Sequence, residues 1–140
     1  MCKQQYEGDI GSSSSQDDPV WKSLWSLQVP TAVKVFFWRA IQDILPSAFN
    51  LHRRHLLSSP VCSRCKLAYE TTVHALWSCS KAKEIWLLTP FRDMVGRWRT
   101  GSMKDLFRYA TSVLSKSELV SVLMISHRIW QAQNEEIFQS

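Results

Sequence analysis

Three cysteines and one histidine fall inside one short window, Cys62-x-x-Cys65, then His74, then Cys79, in a chain with only 4 Cys and 4 His. The pattern reads C-x2-C-x8-H-x4-C. Zinc takes four thiolate or imidazole ligands in a tetrahedron, and three cysteines with one histidine are a standard structural set. The Cys-x-x-Cys knuckle can aim two sulfurs inward. His74 and Cys79 stand slightly more than one helical turn apart, so a helix end or tight turn can return both to one ion. Four protein donors leave no position open for water, which points to a structural rather than a catalytic ion.

Competing readings of the same residues are weaker. Disulfides require an oxidising compartment, and residues 1–30 hold Gly, a serine run and charges where a secretory signal would carry an apolar stretch. The expectation is therefore an intracellular chain, nuclear or cytoplasmic, and not a secreted one. A redox Cys-x-x-Cys opens a helix in a βαβ setting, whereas this one follows Ser58-Ser59-Pro60 with no strand–helix–strand pattern around it. Chance placement of buried cysteines and a core histidine is the remaining reading, and metal spacing disfavours it. Cys2 receives no role.

Apolar residues make up 45% of 140 positions, with 7 Trp and 6 Phe, enough for one cored domain. No stretch approaches the roughly 18 apolar residues of a membrane span, so no membrane partner is expected. The formal charge of +5 is unevenly placed: residues 34–104 carry 12 basic against 4 acidic side chains. Positive charge thus concentrates around the Cys/His window, where it would attract polyanions, RNA or DNA above all. Arg39, Arg53, Arg54, Arg64, Lys66, Lys81 and Lys83 are the candidate phosphate contacts; an ordinary solvated basic surface explains them equally well. Arg39 has a further option, an ion pair with Asp43 four residues on.

Residues 8–18 are polar and Gly/Ser-rich, and the whole of 1–18 is expected to be a disordered lead-in. Asp18-Pro19 reads as an N-cap with proline at the first helical position, followed by Val20, Trp21, Leu24 and Trp25 on one helix face. Val33, Phe36, Phe37, Ala40, Ile41 and Ile44 recur at helical spacing, and Leu45-Pro46 should end that helix. A short helix over 47–54 would turn Phe49 and Leu51 inward. Thr71 or Thr72 should cap a helix carrying His74, and Ser80 another that ends before Pro90. Two further helices are expected over 102–114 and 117–138, the second with Leu119, Val122, Leu123, Ile125, Ile129, Trp130 and Ile137 as its apolar set. Period-two alternation is scarce, so any sheet reduces to a short hairpin at the knuckle. The predicted fold is mostly α: a helical zinc-binding domain over 19–90, pinned by one metal site, and a helical extension or linker over 91–140.

Trp21-Lys22-Ser23-Leu24-Trp25, Val29-Pro30-x-x-Val33-Lys34-x-Phe36-x-Trp38-Arg39, Leu45-Pro46, Asn50-Leu51 and Arg53-Arg54 precede the ligands in that order. Glu70-Thr71-x-x-His74-x-Leu76-Trp77-x-Cys79 and Ala82-x-x-Ile85-Trp86 follow. This ordered set resembles the reverse-transcriptase zinc-binding domain of plant non-LTR (LINE-type) retrotransposons. The resemblance implies Cys62, Cys65, His74 and Cys79 as ligands of Zn2+. It also implies a module associated with nucleic-acid copying, and a reverse transcriptase or ribonuclease H domain of the same element as neighbours. The tail from Ile129 to Phe138 resembles the Trp-x-x-Arg-Asn linker seen after that domain, with Gln133 where arginine is usual, which would remove any phosphate contact made there.

No paired-aspartate motif, two-metal carboxylate set or Gly-rich phosphate loop occurs, so catalysis is not expected. The chain reads as a non-catalytic zinc-binding module that assists RNA or DNA binding. The alternative is an interaction domain, or a domesticated or relic fragment, docking to polymerase or ribonuclease H neighbours without touching nucleic acid. Trp21, Trp25, Trp38, Trp77 and Trp86 fit core packing better than base stacking, given their spacing with Leu, Ile and Phe. Trp98, between Arg97 and Arg99, is the better stacking candidate, with a core-edge position as its rival. His52 and His55 are read as surface histidines.

Overall fold

Asp18 starts the ordered architecture as its sequence suggests. One carboxylate oxygen accepts the Val20 backbone N–H at 2.9 Å, and Pro19 occupies the first helical position. The other oxygen takes Lys104 at 2.8 Å and Arg108 at 3.5 Å, so the cap also ties this end to a distant helix. The computed structural model describes residues 18–98 and 101–139, with side chains through Asn134. The lead-in before Asp18, Cys2 and the Ile137 side chain lie outside the described residues.

Among those residues the chain forms α1 (Pro19–Trp25), α2 (Thr31–Ile41), α3 (Ala48–Arg53), α4 (Ser80–Trp86), α5 (Arg92–Arg97), α6 (Met103–Val113) and α7 (Lys116–Gln139), with a π-turn over His74–Ser78. The expected hairpin is a single antiparallel bridge between Val61 and Tyr69. The mostly helical reading holds. Helix α5 is additional to the expected set.

Helix α2 is the centre of the packing. Val33, Phe36, Phe37 and Ala40 are buried along one face. Phe37 meets Phe107 of α6 at 6.2 Å between ring centroids, and Phe36 meets His127 and Trp130 of α7 at 5.0 and 6.1 Å. Each fully buried large apolar side chain stabilises such a core by about 1.5–3 kcal/mol. Residues from α6 and α7, including Leu106, Phe107, Leu123 and Ile129, share this core with α1, α2 and α4.

Local expectations shift where polar structure intervenes. Helix α2 stops at Ile41 rather than at Leu45, and Asp43 turns left-handed with φ 59°, which leaves Ile44 exposed. Trp25 is exposed while its neighbours Val20, Trp21 and Leu24 are buried. In α3 the buried residues are Ala48 and Asn50, not Phe49 and Leu51. Asn50 explains this: its amide donates to the Asp43 and Leu45 carbonyls and to the Asp43 carboxylate, and its oxygen accepts from Arg53 at 2.7 Å. Ser47 caps α3, accepting the Asn50 N–H. Glu70 completes that end, its buried carboxylate accepting the Ala48 N–H at 2.8 Å while its carbonyl accepts the Phe49 N–H at 3.0 Å. Helix α3 is thereby fastened to the base of the knuckle.

Candidate metal centre

The knuckle is built by backbone bonds around Cys62. Its N–H donates to the Ala68 carbonyl at 2.8 Å, its carbonyl accepts the Lys66 N–H at 2.9 Å, and the Glu70 N–H donates to the Pro60 carbonyl at 2.8 Å. Lys66 sits at φ 61°, the left-handed residue that bends the chain back. This brings Cys62 and Cys65 toward the segment after Thr71, whose hydroxyl accepts the His74 N–H at 3.1 Å and caps that turn as expected.

The donor atoms of Cys62, Cys65, His74 and Cys79 all lie within 4.8 Å of one another. The Cys62 and Cys79 sulfurs are 3.9 Å apart, and the Cys65 sulfur is 3.4 Å from His74 Nε2. Zinc bond lengths of about 2.3 Å to sulfur and about 2.0–2.1 Å to nitrogen, at tetrahedral angles, give edges of about 3.8 Å and about 3.6 Å. These two of the six donor–donor edges, at 3.9 and 3.4 Å, are close to those of a coordination tetrahedron. The residues present therefore fit one zinc ion.

The spacing His74-x4-Cys79 has a structural cause. In an α-helix, residues five apart point about 140° away from each other. Here the Cys79 N–H donates to the His74 carbonyl, an i→i+5 bond of 2.8 Å that directly links the second pair of donors. The wider π-turn reduces their angular separation; such turns recur at functional sites. Cys79, rather than Ser80, is then the N-cap of α4.

A π-turn also redirects acceptors. An α-helical Cys79 N–H would have bonded the Ala75 carbonyl. That carbonyl instead accepts from the Arg64 guanidinium at 3.0 Å and from Gln133 Nε2 at 2.7 Å. The Leu76 carbonyl accepts the Trp86 indole N–H at 2.8 Å. Three side chains thus satisfy buried acceptors that would otherwise cost about 1–3 kcal/mol each.

Protonation favours metal binding at two of the four donors. Burial depresses the pKa of His74, with Arg64 and Lys83 adding to the effect, so its imidazole is held neutral. The Leu67 N–H donates to the Cys65 sulfur and lowers its pKa toward the thiolate. Burial raises that of Cys62, a cost that a bound cation reverses.

Residues 1–86 match the family described as zinc-binding in reverse transcriptase. The chain belongs to that family. A protein of Arabidopsis thaliana whose provisional name is ribonuclease H protein is 38% identical over 74 residues, covering 52% of this chain and 12% of its own length. The chain thus spans about an eighth of that relative. No solved structure matches it. As a zinc-binding domain of this family, the chain carries a Cys3His group positioned for its metal.

The structure divides the seven basic candidates. Arg64 and Lys83 lie beside His74, close enough to perturb it, but Arg64 is committed to the Ala75 carbonyl. Arg53 is engaged by Asp43, Asn50 and the Phe49 ring, so Asp43 pairs with Arg53 and not with Arg39. Lys81 pairs loosely with Glu84 at 3.9 Å. Arg39, Arg54, Lys66 and Lys83 are exposed. Trp98 packs on Tyr109 at 5.6 Å, half-buried at the core edge, which spends the ring offered for stacking. Gln133 is buried and faces the π-turn, not a phosphate. Its position in the apolar repeat of α7, one turn after Ile129 and Trp130, carries the only sequence signal for that role.

Among the described residues no helix is long and apolar enough to cross a membrane.

Proposed function

We propose that Cys62, Cys65, His74 and Cys79 hold one structural zinc ion, and that the exposed basic surface beside it binds RNA or DNA during reverse transcription. The observation that carries this is the convergence of four donors within 4.8 Å of one another, with the exposed cations Lys66 and Lys83 on the segments that supply them. The ion supplies no reaction step. It locks the knuckle to the π-turn, and the chain's own residues do the rest. Lys66 lies in the knuckle and Lys83 on α4, both exposed, while the exposed Arg39 and Arg54 lie on α2 and at the end of α3. Such cations act by phosphate contact and counterion release, and four protein donors with no open position suit a non-catalytic module.

Native mass spectrometry should find one zinc per chain. Binding to single-stranded RNA and DNA, titrated against salt, should weaken with a slope near −0.7 per phosphate contacted, by the approximate rule for single strands. Lys66→Ala with Lys83→Ala should flatten that slope by about one to two contacts. Absence of binding at low salt would remove the nucleic-acid half of the proposal and leave the metal half standing.

A second reading has its own support. Leu56, Leu57, Leu67 and Tyr69 are exposed around the knuckle, Leu67 at 87%. An apolar rim of this kind suits docking to a polymerase or ribonuclease H neighbour. Leu67→Asp separates the two readings, since it should abolish docking while sparing salt-dependent nucleic-acid binding.

A further inference from the structure

The π-turn leaves one carbonyl, that of Ala75, without its helical donor, between the second pair of metal-binding side chains. Two residues far apart in sequence converge on it. Arg64 comes from inside the Cys-x-x-Cys loop, and Gln133 comes from α7, 58 residues beyond Ala75. Gln133 is 6% exposed and its bond is buried. The neighbouring Trp130 packs against Phe36 of α2. The same stretch of α7 therefore touches both the metal centre and the main helical core.

We propose that the Ala75 carbonyl is the joint through which α7 grips the metal centre, with Gln133 and Arg64 as positioning residues for the ligands His74 and Cys79. The proposal deepens the reading that the four donors hold zinc, and rests on it. Neither residue is among the four donors. Each fixes the backbone from which the ligands project. Outer partners of this kind tune metal affinity by about 10–100-fold when removed. Because coupling between two sites is reciprocal, zinc should also tighten the 126–133 stretch of α7. Gln133 stands where the resembling linker usually has arginine; beside Arg64 a second guanidinium would face the same carbonyl, whereas a neutral amide shares it without repulsion.

The test is competition of the full chain for zinc against a fluorescent chelator. Gln133→Leu keeps the volume and removes the donor, and should weaken zinc about tenfold. Ser126→Ala is the control. Ser126 is also buried on α7, but its hydroxyl bonds the Val122 carbonyl of its own helix, at 2.8 Å, so zinc affinity should stay within about twofold of the parent. Arg64→Met and the double variant close a cycle. Donors sharing one acceptor should give a double loss that departs from the product of the single ones. Equal losses in Gln133→Leu and Ser126→Ala would overturn the proposal, as would no loss in Gln133→Leu or a strictly multiplicative cycle. Should Gln133→Leu fail to fold, hydrogen exchange of the parent with and without zinc decides. Lower protection over 126–133 without zinc supports the joint, and unchanged protection overturns it. A parent that binds no zinc would instead remove the underlying metal reading.

Discussion

The two halves of this molecule hold together by different physics. Around α1, α2, α6 and α7, large apolar side chains interlock, with Leu24, Phe37, Leu106, Phe107 and Leu123 all at most 1% exposed. From His52 to Ser59 every residue is exposed, and between Val61 and Glu70 only Cys62 and Glu70 are buried. One half folds because burial outweighs chain entropy. The other buries too little for that and depends on a few polar bonds plus the metal ligands. Small segments of this kind need a staple.

The most severe way to break the contrast is to remove the metal. Structural zinc contributes roughly 10–16 kcal/mol of binding free energy in peptides. Chelation, or Cys62→Ser, should strip hydrogen-exchange protection from 58–79 while α2 and α6 keep theirs. A uniform collapse would show that the halves are one cooperative unit. The converse experiment is Phe37→Ala, which should cost about 3–5 kcal/mol in denaturant titration yet leave one zinc per chain. A smaller effect tests the polar link between the halves. Asn50→Ala removes the side-chain donor to the Asp43 carbonyl and one of the two donors to the Leu45 carbonyl, which keeps the Ser47 N–H, and should cost about 1–3 kcal/mol, seen as a lowered melting temperature at unchanged zinc content. The smallest effect lies at the α1 cap. Lys104, the Val20 N–H and Arg108 lower the Asp18 pKa below its ordinary 3.8. The carboxylate's contribution is thus complete above about pH 4 and fades as pH falls through the lowered value. Asp18→Asn keeps the capping oxygen and should show a shallower loss of stability below pH 4 than the parent.

How far the sequence disclosed each half follows the same division. The core half was legible because apolar periodicity writes itself along α2, α6 and α7: Val33, Phe36, Phe37 and Ala40 are buried as spaced, and Ser102 caps α6 at its expected start. In the knuckle half the four Cys/His positions were legible from ligand chemistry alone. What lay between them was not. The π-turn carries no residue signature of its own, since it depends on where one N–H donates. The inward turn of Asn50 instead of Phe49 and Leu51 comes from three amide bonds to the turn before α3, which periodicity does not encode. Helix α5 is one short turn and a half around Gly96, too brief for a repeat to emerge. Gln133, which stood out as a departure from a linker pattern but was not legible as a π-turn contact, owes its place to a carbonyl 58 residues away.

Backbone strain sits on one side of the division as well. Asp43, His55 and Lys66, at φ 59°, 62° and 61°, are the described non-glycine residues in the left-handed region, and all three flank α3 or the knuckle. Each such residue costs about 1–2 kcal/mol relative to ordinary backbone, a reservoir that the apolar half does not carry. His55→Gly and Lys66→Gly would lower that reserve without touching the Asp43 carboxylate that holds Asn50 and Arg53, and a chain so altered should keep its knuckle shape at zinc concentrations too low to sustain the present one.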